Sequence, residues 1–356
     1  MASFAPASRE VTFDPLKIPQ APGDPLYGLV TAYEADKSSE KVDLGVGAYR
    51  DGNCKPWVLP VVQKAEKIYH DNDEQDHEYL PIAGLPEFTN AAQKLILGGD
   101  SLAIKENRVC SFQTISGTGA IHLAVYISSP SWPIHDQVFA NVELPVRYYP
   151  YFRKETKMID FDGMVYVLES APKGSIIVLH ACAHNPTGVD PPHDQWKKLA
   201  EIVKANSLFP FFDSAYQGFA SGSLSEDNFA ILYFVEHGLG LVVAQSNLGL
   251  YGQRVGAFHF VTYYNRVASQ VTVLQRSEIS SPPIYGAQIA SIILNNKQLF
   301  TEWEDDLRTM SGRIVEMRKC LKTELERLQT PGNWDHITSQ IGTVFTGLDV
   351  RNTACS

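Results

Sequence analysis

Two short polar segments of the sequence could bind a phosphate or a carbonyl oxygen. SGTGA, at residues 116–120, places small residues and hydroxyls at a predicted turn before a helical segment. Unpaired backbone N–H groups and the helix dipole at such a turn favour a phosphate. HNPTG, at residues 184–188, follows the apolar run IIVL, and its Asn185 amide could donate to a ligand oxygen. Each segment alone is equally typical of a plain turn.

Two further segments carry ionisable groups after apolar runs. Asp213 begins DSAYQGF directly after LFPFF, and Tyr216 adds a hydroxyl nearby. A carboxylate at such a strand end is costly without a partner, so Asp213 could pair with a protonated ring nitrogen; an N-cap is the alternative. Arg254 follows the glycine-rich loop of GLYGQRVG and suits bidentate phosphate binding. A surface arginine is the alternative there.

The elements that must position these residues alternate between strand and helix. Apolar runs that end in polar turns flank DQWKKLAEIVKANS, whose apolar residues repeat at helical spacing. This alternation predicts an α/β fold with a doubly wound, mostly parallel sheet, in which ligands gather where strands end. A single apolar stripe over residues 300–328 predicts a long helix that Pro331-Gly332 ends.

Composition excludes several classes of protein. The 356 residues include 30 basic and 40 acidic ones, a net charge of -10, which argues against a nucleic-acid surface. The five cysteines form no CxxC, so neither a disulfide framework nor a metal site is predicted. No apolar run approaches the ~20 residues of a membrane span, and the N-terminus lacks a signal-peptide pattern. We therefore expect a cytoplasmic protein whose first forty residues form an extended arm, a disordered tail being the alternative.

Together the four segments occur in the order expected of a pyridoxal phosphate site. With VDLGVGAYRDG, HEYLPIAGLPEF, QRSEISSPP and HITSQIG, they make the chain resemble the class I, fold-type I aminotransferases, in particular fungal-type cytosolic aspartate aminotransferases. The similarity covers about residues 20–348. It implies the fold of pyridoxal-phosphate-dependent transferases, with a large α/β domain and a smaller, here incomplete, one. We expect an N-terminal arm and small-domain segment at 1–50, a cofactor domain at 51–300 and a truncated small domain at 301–356.

The resemblance implies how the cofactor, pyridoxal 5'-phosphate, would be held. Asp213 would keep the ring nitrogen protonated, which makes the ring an electron sink, and His135 and His180 would orient Asp213. The phenolic oxygen would bond to Tyr216 and Asn185, and Trp132 would stack on the ring. The implied phosphate ligands are Ser116, Gly117, Thr118, Ser246, Arg254 and, from a second subunit, Tyr79.

The resemblance also implies substrates and assembly. Gly47 would lie near the substrate α-carboxylate, together with Trp132 and Asn185. Arg276 would bind the side-chain carboxylate, so an acidic protein could take dicarboxylic amino and oxo acids. A homodimer with shared sites is implied, with no nucleic-acid or membrane partner.

The chain departs from the family pattern at the catalytic lysine. The family stretch has the form AQSFSKNFGLY, whereas this chain reads AQSNLGLY, so three residues are missing between Ser246 and Asn247 and the Schiff-base lysine is among them. A short crossover after SGTGA and a contraction near VTYYNRVASQV are further gaps. The family's C-terminal substrate arginine has no counterpart either, since Arg351 does not match its motif.

The resemblance therefore predicts an aspartate transaminase that is impaired as written. Its family reaction converts L-aspartate and 2-oxoglutarate to oxaloacetate and L-glutamate, and cofactor binding would be non-covalent at best. Three hypotheses stay open at this point. The first is an active enzyme whose sequence as written is defective through a mis-spliced gene model or a cloned variant. The others are a non-catalytic cofactor-binding or dimer-partner pseudoenzyme and a misfolded relic.

Overall fold

The computed structural model describes residues 25–42, 49–73, 78–116, 126–141, 145–246, 249–262 and 266–342. The chain divides into two compact units, Met1–Ala48 and Tyr49–Ser356. In the first unit, helix α1 (Pro25–Ala35) is followed by a turn in which the Lys41 ammonium donates to the carbonyls of Tyr33 and Asp36. The predicted domain boundaries at residues 50 and 300 stay predictions.

The second unit holds an alternation of strands and helices. Its helices are α2 (Pro60–His70), α3 (Pro86–Leu97), α4 (Leu102–Lys105), α5 (Pro133–Asn141), α6 (Phe161–Ser170), α7 (His193–Ala205), α8 (Leu224–Asp227), α9 (Phe229–Glu236), α10 (Arg266–Glu278), α11 (Ile284–Asn295), α12 (Lys297–Arg327) and α13 (Asp335–Ser339). Its strands are β1 (Val109–Ile115), β2 (Tyr126–Ser129), β3 (Arg147–Pro150), β4 (Phe152–Arg153), β5 (Met158–Ile159), β6 (Ile176–His180), β7 (Phe209–Ser214), β8 (Leu241–Ser246) and β9 (Val255–Val261).

Seven strands form one sheet in the order β1-β9-β8-β7-β6-β2-β3, and β4 pairs with β5. The pairs β8·β7, β7·β6, β6·β2 and β2·β3 are parallel, whereas β9 runs antiparallel to both of its neighbours. The prediction of a mostly parallel α/β sheet is therefore confirmed. The carboxyl ends of parallel strands lie at one edge, so the polar residues that end β6, β7 and β8 come together there.

The apolar stripe of α7 explains how the helices cover this sheet. Its buried residues recur every three or four positions, so they lie on one helix face. Trp196 packs against Phe212 of β7 and Phe234 of α9, with ring centroids 6.1 and 6.4 Å away. The Phe212 and Phe234 rings meet edge to face at 5.1 Å. This aromatic cluster holds α7 and α9 against β7, and Ile96 and Leu97 of α3 lie in the same buried apolar cluster.

The long helix predicted from the apolar stripe is α12, and its last residue, Arg327, lies one position before the end of that stripe. Asn296 caps its N-terminus, because the side-chain oxygen accepts from the backbone N–H groups of Gln298 and Leu299. The helix ends at Arg327, before Pro331-Gly332. Gln329 adopts a φ of 53°, and Thr330 N–H donates to Leu325 O at 2.9 Å, the pattern of a Schellman motif. A glutamine in this left-handed position gives no sequence signal, so the sequence indicated the helix end only through the end of the apolar stripe and the following Pro331-Gly332.

No helix in the described ranges combines the length and apolar character that crossing a bilayer requires.

We expect Phe234→Ala to lower the free energy of unfolding by about 3–5 kcal/mol, because it removes a fully buried ring from the aromatic cluster. Urea unfolding followed by far-UV circular dichroism measures the loss. The control is Tyr166→Ala on α6, where the side chain is 76% exposed and the expected change stays within about 0.5 kcal/mol. Equal losses in the two variants would contradict the packing described here.

Candidate functional site

Asp213 lies inside β7 at the edge where the strands end, so the N-cap alternative is wrong. Its Oδ2 atom is 3.2 Å from His135 Nε2 of α5. The other ring nitrogen of His135 is 2.9 Å from Ser131 Oγ. Because that hydroxyl can donate to Nδ1, His135 can carry its proton on Nε2 and donate it to Asp213. The Trp132 ring meets the His135 ring edge-on at 5.5 Å.

The charge of Asp213 is stabilised despite its burial. Burial acts to raise the pKa of this carboxyl, but the hydrogen bond from His135 outweighs it and holds the pKa below its ordinary value. The carboxylate is therefore ionised at neutral pH. An ionised acceptor of this kind favours the protonated form of any ring nitrogen placed against it.

His180 lies directly opposite Asp213 in the register of β6 and β7. Its Nδ1 accepts from the Asn185 backbone N–H at 3.5 Å, while Nε2 is buried with no hydrogen-bond partner among the described residues. Burial lowers the pKa of His180 well below its usual range, so the ring is neutral. Both predicted histidines thus lie beside Asp213, although only His135 bonds to it in the described residues.

The geometry also brings three candidate metal ligands together. One ligand atom each from His135, His180 and Asp213 lies within 4.8 Å of the others. The bond from the Asn185 amide, however, requires an unprotonated Nδ1 on His180, which leaves the proton on Nε2. A protonated Nε2 cannot ligate a metal. The expectation that the chain has no metal site stays a prediction.

The turn that contains HNPTG, residues 184–188, directs the side-chain amide of Asn185 towards the hydroxyl of Tyr216. Asn185 Nδ2 donates to Tyr216 Oη at 3.4 Å. Burial, with a smaller contribution from Asp213, raises the pKa of Tyr216 to about 12, so its hydroxyl keeps its proton. Because the tyrosine oxygen already accepts from Asn185, its O–H can donate elsewhere. The pair therefore offers two donors to an oxygen of a ligand.

A second polar group lies where β1, β8 and β9 meet. Arg254 Nη2 donates to Ser116 Oγ at 2.5 Å, and Ser116 N–H donates to Arg254 O at 3.1 Å. Gly256 lies opposite Ser246 of β8, and a Cβ there would approach the backbone of Ser116 to 2.5 Å. Only glycine permits this close approach. The structure thus brings Ser116 and Arg254 together and places Ser246 opposite Gly256.

The remaining predicted residues fall into two groups. Gly47, Gly117 and Thr118 lie outside the described residues. Tyr79 is 86% exposed, and Arg276 lies on the exposed face of α10 with its guanidinium on Ser280 Oγ. Within the described ranges no hydrogen bond joins either side chain to Asp213. Their assignment to a site shared between subunits stays a prediction.

The described part of the chain places no lysine in the interior. Each lysine within it is exposed or half-buried. Asn247 and Leu248, which follow the predicted gap, lie outside the described residues. The described strand β8 ends at Ser246, and Gly249 follows with a φ of 69°.

Sequence reasoning missed four residues that support the site, namely Ser128, Ser131, Tyr151 and Asp190. Ser131 orients His135, and Asp190 accepts from the backbone amides of Ala183 and His184. The His184 ring bonds to Ser128 Oγ and Thr187 Oγ1, both at 2.9 Å, and stacks on Tyr151 at 3.8 Å. In the sequence, only the polar residues around HNPTG indicated that such supporting contacts exist. The contacts themselves could not be predicted, because their partners lie on distant elements.

The chain belongs to the class I and II aminotransferases, since the family model described as "Aminotransferase class I and II" matches residues 39–355. This confirms the family resemblance seen in the sequence. Among curated relatives, a cytoplasmic aspartate aminotransferase of Schizosaccharomyces pombe is 47% identical over 93% of this chain and 87% of its own length. A cytoplasmic aspartate aminotransferase of Saccharomyces cerevisiae is 45% identical over 92% of this chain and 85% of its own.

Solved structures agree with this assignment. An aspartate aminotransferase from Saccharomyces cerevisiae cytoplasm superposes with a TM-score of 0.91 at 43% identity, covering 94% of this chain and 87% of its own. An aromatic-amino-acid aminotransferase from Burkholderia pseudomallei, covalently bound to pyridoxal phosphate, gives 0.90 at 37% identity, covering 93% and 88%. The expected fold of pyridoxal-phosphate-dependent transferases is thereby confirmed.

The neutral state of His184 predicts a pH dependence of stability. Burial lowers the pKa of His184 to about 3, whereas the unfolded chain has an ordinary histidine pKa near 6.5. As pH falls below about 6.5, the unfolded state binds a proton that the folded state does not, so stability is lost with acid. We expect His184→Gln to remove about 1.4 kcal/mol per pH unit from this slope between about pH 6 and 4.

Chemical denaturation at several pH values measures that slope. The matched comparison is His259→Gln, because burial lowers the pKa of His259 to about 3 as well and the expected change in slope is the same. An acid slope in His184→Gln equal to that of the unsubstituted chain would refute the assignment.

Proposed function

We propose that this chain is an aspartate-aminotransferase-type protein that binds pyridoxal 5'-phosphate, the cofactor of its family, and that its transamination is impaired. The observation that carries the proposal is the buried Asp213–His135 pair at the strand ends, together with the missing lysine between Ser246 and Asn247. The inherited reaction converts L-aspartate and 2-oxoglutarate to oxaloacetate and L-glutamate. The relatives named above also support a cytoplasmic location.

The donor set fits the three polar regions of the cofactor. Ionised Asp213 would face the ring nitrogen, and its side chain keeps 9% of its surface accessible for that contact. Tyr216 and Asn185 would donate to the phenolic oxygen. Arg254 and Ser116, with Ser246, Gly117, Thr118 and the partner-facing Tyr79 assigned by resemblance, would hold the phosphate. When bound, the cofactor supplies an electron sink for the amino-acid Cα.

Side chains of this protein would orient the substrate, but none of the described ones would transfer the proton at the amino-acid Cα. Trp132 would cover the ring, and Gly47 would lie near the α-carboxylate of a dicarboxylic substrate. Arg276 from a second subunit of a homodimer would bind the side-chain carboxylate. No described lysine is buried to carry a proton to or from the amino-acid Cα. General acid–base transfer is worth about 10²–10⁴-fold in rate, so binding is retained while turnover is slow.

A second candidate function is a non-catalytic cofactor-binding protein or a dimer partner for an intact paralogue. The retained Asp213–His135 and Asn185–Tyr216 contacts favour it, because both hold a ligand without needing the lysine. It differs from the first candidate in having no residual turnover.

Restoring the missing residues tests the cause of the impairment. We expect insertion of Phe-Ser-Lys between Ser246 and Asn247 to raise aspartate consumption by at least about 100-fold, because it returns a general base to the site. A coupled oxaloacetate assay measures the rate. Borohydride reduction with stoichiometric pyridoxal phosphate, followed by peptide mapping, should label the inserted lysine and no lysine of the unmodified chain.

The matched control inserts Phe-Ser-Ala, which restores the loop length without the amine and should stay slow. Fast aspartate turnover by the unmodified chain, with a labelled lysine, would contradict the proposed impairment of transamination. Complete absence of turnover in the unmodified chain, with a cofactor still bound, would support the non-catalytic candidate.

Substitution of the central carboxylate tests cofactor binding. We expect Asp213→Asn to raise the Kd for pyridoxal phosphate at least about 10-fold, since a hydrogen bond to a charged group contributes about 1.5–3 kcal/mol. Absorbance titration of the purified chain measures the Kd. Asp160→Asn is the control, because Asp160 caps α6 and pairs with Arg153 away from the site. Unchanged affinity in Asp213→Asn would argue against the proposed orientation of the ring.

A further inference from the structure

We propose that Asp190 is a positioning residue for the phenolic oxygen of the cofactor, because its carboxylate holds the turn that directs Asn185 towards Tyr216. The inference rests on the proposed function, in which Asn185 and Tyr216 receive that oxygen. This turn comprises residues 181–190, and we call it the asparagine turn.

The asparagine turn has a backbone shape that needs an external support. Ala183 adopts a φ of 47° and Gly188 a φ of 64°. A left-handed conformation is unfavourable for alanine and persists only where its surroundings hold it. Gly188 N–H donates to His184 O at 2.7 Å, which closes the turn on its far side. The near side, which carries Ala183, requires a different contact.

Asp190 supplies that contact with both of its oxygens. Oδ2 accepts from Ala183 N–H at 2.6 Å, and Oδ1 accepts from His184 N–H at 2.8 Å. The successive backbone amides of Ala183 and His184 form a concave anion-binding site for one carboxylate. Binding of the carboxylate there fixes the direction of the backbone. Asn185 follows immediately, so the orientation of its side chain depends on this clamp.

The hydrogen bond between Asn185 and Tyr216 tolerates little movement of the asparagine turn. Asn185 Nδ2 lies 3.4 Å from Tyr216 Oη, near the upper limit for a hydrogen bond. A shift of several tenths of an ångström in the turn would break it. Other contacts hold different parts of the turn: Ile341 N–H donates to Gly188 O, and the His184 ring bonds to Ser128. Those contacts do not bear on the Ala183 and His184 amides.

The electrostatics of Asp190 indicate a role other than stability. Burial raises the pKa of Asp190 to about 6, opposed by the two amides and reinforced by the charge of Asp227. Tyr151 and Cys182 also face it, and no cation is among the groups that influence it in the described residues. Because the folded-state pKa lies above the unfolded value, ionisation of Asp190 opposes folding as pH rises through about 4 to 6. A carboxylate kept at that cost fits a positioning role.

The test compares Asp190→Asn with the unsubstituted chain in pyridoxal phosphate titrations at pH 8 and pH 5. Asparagine keeps the size of the side chain but turns a donor towards a backbone N–H. At pH 8 we expect a Kd about 10-fold higher and an altered absorption band of the bound phenolic group. At pH 5, where Asp190 is protonated in the unsubstituted chain, the ratio of the two Kd values should fall towards 1.

Asp306→Asn is the matched control. Asp306 also accepts a backbone amide, from Val61 at 3.1 Å, and burial also raises its pKa, but it lies on α12 away from the asparagine turn. We expect its Kd ratio to stay near 1 at both pH values. An Asp190→Asn ratio that is the same at pH 8 and pH 5, or equal to the control, would overturn the positioning role.

Hydrogen exchange of the unsubstituted chain tests the clamp even if Asp190→Asn fails to fold. Protection factors of the Ala183 and His184 amides, corrected for intrinsic rates, should fall between pH 7 and pH 5 relative to those of α7. Constant relative protection would overturn the proposal. Failure of the unsubstituted chain to bind pyridoxal phosphate at either pH would instead refute the proposed function, and the exchange result would then decide the clamp by itself.

Discussion

The hydrogen bond between His135 and the buried carboxylate of Asp213 is the interaction on which the site depends. An ionised carboxylate removed from water costs several kcal/mol unless its charge is compensated. Ser131 orients the imidazole, and the imidazole donates to Asp213. The parallel pairing of β6 and β7 adds His180 directly opposite. The sheet register and one turn of α5 thus combine to keep a negative charge at the strand ends.

The sequence predicted the position of Asp213 because it directly follows an apolar run, and that of Asn185 because HNPTG lies in the turn beyond the run IIVL. Runs of this kind become central strands, and the residue after them reaches the edge where ligands bind. The amphipathic spacing of α7 was equally clear. The joining of Ser116 to Arg254, 138 positions apart, came from the family resemblance, because no local pattern encodes a contact across that separation.

Local patterns failed where the deciding interaction was distant or used an unusual residue. Asp190 resembles an ordinary loop carboxylate in the sequence, and only the folded turn shows both of its oxygens on successive amides. The cap of α12 was also missed, because Gln329 takes the left-handed position that glycine usually fills. The apolar stripe and Pro331-Gly332 indicated where the helix ends, but not which residue closes it.

In the proposed function, ligand binding and group transfer depend on different parts of this chain. The Asp213–His135 bond joins the end of β7 to α5, and the Asn185–Tyr216 contact joins the turns that follow β6 and β7. The Ser116–Arg254 pair lies between the end of β1 and the start of β9. None of them requires a side chain from the three positions missing after Ser246. Loss of those positions therefore removes an amine without removing a partner from any of these contacts. A fold built this way can keep its cofactor pocket after losing the group that moves the proton, which is why binding and turnover must be measured separately.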